Sequence, residues 1–107
     1  MTDSIDNRLH KALIFLGETD EELAKLRKEA LYAEESHKQT LAVVFKASTG
    51  NVEERKAAAR IKAEEKYIQF LEADMKFNAL NNKRKTEMIA VEVLRSLKAD
   101  RRRGNVV

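Results

Sequence analysis

The feature that most constrains this chain is what it lacks: its 107 residues include no proline and only three glycines, Gly17, Gly50 and Gly104. Proline and glycine are the residues that end helices and build tight turns. Sandwiches and barrels need such turns every few residues, between segments rich in β-branched and aromatic side chains. Here aromatics are 6% of the chain and charged residues 36%, a balance that belongs to long helices. The expected fold is all-α.

The absence of cysteine excludes disulfide scaffolds, thiolate metal sites and cysteine nucleophiles. The longest apolar run, Ala12 to Leu16, is far short of the roughly 20 residues that cross a bilayer. The opening Met-Thr-Asp-Ser-Ile-Asp is acidic and polar where a secretory signal starts basic. A cytoplasmic location with no membrane contact is therefore the expectation.

The glycines and their neighbours divide the chain into expected elements within a single helical domain, 1–107. Ser4 or Asp3 caps a short helix over about 5–16, with apolar positions Ile5, Leu9, Ala12, Leu13 and Leu16 on one face and Gly17 as terminator. Thr19 followed by Glu22 reads as a capping box opening a second helix over about 20–48. Ser48-Thr49-Gly50-Asn51 is the clearest turn, and Asn51 caps a third helix over about 52–100, ahead of a tail at 101–107. At 1.5 Å per residue the third helix would span about 75 Å against about 44 Å for the second. It therefore either overhangs or breaks, and the polar run 81–87 is where a break belongs.

The second helix carries a near-heptad seam at Leu23, Leu26, Ala30, Ala33, His37, Leu41, Val44 and Ser48. The third answers with Ala57, Ile61, Ile68, Leu71 and Met75, flanked by Tyr67, Phe70, Phe77 and Leu80. The expected architecture is a short N-terminal helix followed by a long antiparallel, coiled-coil-like hairpin. Apolar residues outside one seam, among them Leu31, Tyr32 and Phe45, imply a second copy, so a homodimeric bundle is expected.

Charge is distributed unevenly. Residues 1–78 hold 13 Lys+Arg against 15 Asp+Glu, and residues 79–107 hold 8 against 3, so the end carries +5 and the rest −2, for a net +3. The basic set is Lys83, Arg84, Lys85, Arg95, Lys98, Arg101, Arg102 and Arg103. Arg84, Arg95, Lys98 and Arg102 share one helical face, suited to a phosphate backbone. The competing reading is plain complementation of the helix dipole. No aromatic accompanies them, so base stacking has no support.

Glu34 and His37 form a Glu-x-x-His pair of the kind found in di-iron bundles, though a site needs two such motifs and further carboxylates. A seam histidine is the simpler reading, and no metal or other cofactor is expected. Without a glycine-rich phosphate loop, a nucleophile elbow or a poised acid–base pair, no enzymatic activity is expected. A non-enzymatic interaction or scaffold protein is the leading class, with nucleic-acid binding through the basic end as the alternative.

The stretch from Tyr67 through Asn81-Asn82-Lys83-Arg84-Lys85 to Ile89, closing on Leu94-Arg-Ser-Leu-Lys-Ala-Asp-Arg-Arg-Arg-Gly, resembles the C-terminal half of small helical proteins encoded by bacteriophages. That resemblance implies a phage-encoded accessory protein and brings no catalytic motif with it.

Overall fold

The structure, a computed structural model, describes residues 2–104 and contains two helices, α1 (Thr2–Ala47) and α2 (Val52–Gly104). They form an all-α hairpin around Gly50, whose φ of 107° lies in the left-handed region that glycine enters without strain. Asn51 caps α2 as expected. Its Oδ1 accepts the Glu54 backbone N–H at 2.9 Å, and its Nδ2 donates to Glu54 Oε1 at 3.0 Å. Two donors at the helix start are thus engaged reciprocally.

The separate helix over 5–16 does not form. Gly17 and Thr19 lie inside α1, and the expected cap is used otherwise: the Thr19 hydroxyl donates to the Phe15 carbonyl, one turn back, at 2.6 Å. The physical reason is phase. Ile5, Leu9, Ala12, Leu16, Thr19, Leu23, Leu26, Ala30, Ala33, His37 and Val44 are all buried or half-buried. From Ile5 to His37 their spacing alternates between four and three without a slip at Gly17, and Val44 follows seven residues on. A break would throw the two halves of this seam out of register, which outweighs the ~1 kcal/mol cost of one helical glycine.

The polar run 81–87 is likewise continuous helix. Thr86 donates its hydroxyl to the Asn82 carbonyl at 3.1 Å instead of capping a new start. The expected tail is helical through Gly104, with Arg101–Arg103 in the last turn of α2. The remainder of that tail, 105–107, lies outside the described residues.

The inward face of α2 also differs from expectation. Ile61 is 73% exposed and Met75 70%, with Ile68 and Leu71 close to half exposed. The residues facing α1 are Ala59, Ala63, Phe70, Phe77, Arg84, Val91 and Lys98, six of them spaced by sevens from Ala63. Two heptad stripes run along α2, and the one richer in large apolar groups points outward.

Contacts group the chain into two units. One comprises the residues up to Leu23 with those from Ala79 onward, the other Ala24–Asn78. In the Ala24–Asn78 unit the buried positions are Ala30, Ala59 and Ala63. These small residues let the backbones approach closely, and Phe70 and Phe77 fill the flanks. In the other unit Ala12 and Val91 are buried, and polar groups occupy the neighbouring seam positions.

Candidate interaction surfaces

Within the terminal unit, the seam position of Arg84 turns a basic side chain inward. Its side chain is only 12% exposed. Nη1 donates to the Leu16 carbonyl at 2.6 Å and to the Thr19 hydroxyl oxygen at 2.7 Å, while Nη2 donates to Asp20 Oδ1 at 3.2 Å. Arginine's planar fork suits such convergent acceptors. One turn on, Glu87 receives Arg8: Nη2 donates to Oε1 at 3.0 Å, and Nη1 lies 2.8 Å from Oε2. This pairing raises the Arg8 guanidinium above its ordinary value.

Lys98 closes the series with a 2.8 Å ion pair to Asp6. The Lys98 hydrogen bond holds the Asp6 carboxyl below the usual carboxylate range, and the positive charges of Lys98 and Arg102 act in the same direction. The four-residue stripe read from sequence is therefore not a free phosphate-facing surface. Arg84 and Lys98 are occupied by α1, whereas Arg95 and Arg102 are exposed. Lys83, Lys85, Arg95, Arg101, Arg102 and Arg103 are exposed and make no ion pair among the described residues.

In the Ala24–Asn78 unit, Glu34 and His37 do not converge. Glu34 takes an ion pair with Lys38 at 3.0 Å, which raises the lysine above its ordinary value through that hydrogen bond. The His37 ring stacks on Tyr67, with centroids 5.2 Å apart and planes at 29°. Among the described residues no group of three or more His, Cys, Asp or Glu could hold a metal ion. Near the turn, Arg55 lies 4.2 Å over the Phe45 ring and donates its Nε to the Phe45 carbonyl at 3.1 Å. That contact closes the helix end as a cation–π and backbone clasp.

Shallow grooves flank this unit, and two of them are rimmed by basic side chains. One, of about 430 Å³, has a floor of Leu41, Ala42, Phe45 and Ala59 and a rim of Lys38, Lys56 and Arg60. The other, of about 420 Å³, gathers Lys25, Lys28 and Lys66 around Tyr32 and Ala33. The terminal unit carries an apolar strip of its own: Met88, Ile89, Val93 and Leu97 are each about half exposed or more. No helix is long and apolar enough to cross a membrane among the described residues. No family model, curated protein or solved structure matches the chain.

The inward roles of Arg84 and Glu87 were not read from composition. The signal was present in spacing: Arg84 stands seven residues after Phe77 and seven before Val91, in phase with the buried face.

Proposed function

We propose that this chain is a non-enzymatic helical interaction protein, an accessory or scaffold of the kind small phage-encoded helical proteins represent, working by presenting apolar stripes to other protein surfaces. The observation that carries the reading is the mismatch between inside and outside. Among the described residues the buried apolar positions are four alanines and one valine, while Ile61, Met75, Leu31, Tyr32 and Ile89 all remain more than half exposed. Large apolar side chains left exposed while small ones are buried favour sites of association.

Nucleic-acid binding is the second reading, supported by the exposed Lys83, Lys85, Arg95 and the last-turn arginines. One experiment separates the two. The immobilised chain is compared with an Ile89→Lys/Val93→Lys variant for capture of a protein partner, and both are titrated with labelled duplex DNA at about 20 mM salt. Partner capture lost in the variant, with helical content unchanged, supports the interaction reading. DNA affinity equal in both chains and falling steeply with salt, without partner capture, replaces it with the second.

A further inference from the structure

We infer that the outward stripe of α2 within the Ala24–Asn78 unit is an antiparallel docking seam for a second copy of this chain. The stripe consists of Ala57, Ile61, Glu64, Ile68, Leu71 and Met75, spaced alternately by four and three, the spacing that packs knobs into holes. Every one of these six is exposed. This inference names the self-association surface within the proposed function and rests on that reading.

The flank of the stripe identifies the occupant. Arg60, Tyr67 and Asp74 follow one another at seven-residue intervals along one side. Neither Arg60 nor Asp74 makes an ion pair among the described residues; Asp74 is half-buried and accepts a hydrogen bond from Asn78 Nδ2 at 3.2 Å, and one side of the Tyr67 ring is covered by His37. A two-fold axis passing beside residues 66 and 67 places Arg60 against the partner's Asp74, and by symmetry Asp74 against the partner's Arg60. Tyr67 meets its own copy between them. This is the self-complementarity that a two-fold interface demands, residue i on j and j on i.

The same axis orders the layers. Ala57 faces the partner's Met75, small against large, and Ile61 faces the partner's Leu71. Glu64 faces the partner's Ile68, which sets the two Glu64 side chains about 6 Å apart along the axis. A parallel pairing would instead put Glu64 directly against its copy within the seam, where like charges repel most. The opposite flank, Ala58, Glu65 and Glu72, lacks such a match. Glu65 meets its copy at the solvent-exposed rim, a cost that the apolar layers must exceed.

The experiment uses the full chain. Light scattering over a micromolar concentration series is expected to show a dimer for the native sequence and a monomer for Ile68→Asp. Because Ile68 is 48% exposed in the single chain, circular dichroism of that variant should be unchanged. Arg60→Asp should raise the dissociation constant about tenfold, and adding Asp74→Arg should restore it. As the chain has no cysteine, Ile61→Cys and Leu71→Cys chains can be mixed and oxidised. A mixed disulfide is expected, and none in Ile61→Cys alone. A native monomer at high micromolar concentration, a swap that fails to restore affinity, or self-crosslinking of Ile61→Cys overturns the inference. Any of these outcomes leaves the partner-capture comparison at Ile89 and Val93 unaffected, so the two proposals fail separately.

Discussion

The terminal unit and the Ala24–Asn78 unit join the same two helices by opposite chemistry. In the terminal unit the ion pairs run between helices: Arg8 to Glu87, Arg84 to Asp20, Lys98 to Asp6. In the other unit the ion pairs, Glu34 to Lys38 and Glu53 to Lys56, stay within one helix, and the helices are joined by alanine contact, with the His37–Tyr67 stack and the Arg55–Phe45 clasp beside it. Alanine seams bring backbones close but discriminate poorly between registers, since one alanine looks like the next. Directional groups accept one partner position. A single polar residue in a seam fixes register at some cost in stability, and Arg84 with three acceptors on α1 is such a residue.

Enlarging the alanine seam should have the largest effect. Ala63 is 0% exposed, and Ala63→Leu must push the helices apart or strain the rotamer, at about 3 kcal/mol. Thermal or urea unfolding measures it. A cost below about 1 kcal/mol would mean the close approach is not needed.

Next in size is Arg84→Ala. It strips charge-assisted hydrogen bonds from Thr19 and Asp20, at about 2 kcal/mol. Its location is more telling than its size. Amide exchange should accelerate around Gly17–Glu22, where α1 would lose its clasp, with residues 30–44 protected as before. Uniform acceleration in both regions would contradict the division of labour.

The smallest effect is that of acid. The Asp6 carboxyl is lowered in the folded chain, so its contribution is present above the ordinary carboxylate range and is lost as pH falls through the depressed value. Acidification over that window should speed amide exchange first near residues 4–12 and leave the alanine seam unchanged at the same pH. Simultaneous loosening of both would argue against a local cause.

Much of α1 was legible. The seam from Leu23 to Val44 follows from spacing alone, as does the turn at Gly50, because positive φ and an Asx cap leave unambiguous residues behind. The expected stop at Gly17 does not form because glycine and a capping box are local signals, and the seam that overrides them shows only when phase is followed through Thr19. On α2 the difficulty was of another kind. Two stripes have heptad spacing, and periodicity reports that a face is apolar, not which neighbour covers it. Ile61, Ile68 and Met75 fit the seam spacing as well as the small residues Ala59 and Ala63 do, and only the packing shows that the small ones face α1. The spacing that lines Arg84 up with Arg95, Lys98 and Arg102 does not say which way the stripe faces, and the contacts of Arg84 depend on that.

The alanine-built interior carries a thermal consequence. Heat uptake on unfolding and its change with temperature track the apolar surface newly exposed to water. With no large side chain fully buried among the described residues, the solitary hairpin releases little such surface when it melts. Its calorimetric trace should therefore be low and broad for a chain of this length, losing order over many degrees instead of at one sharp temperature.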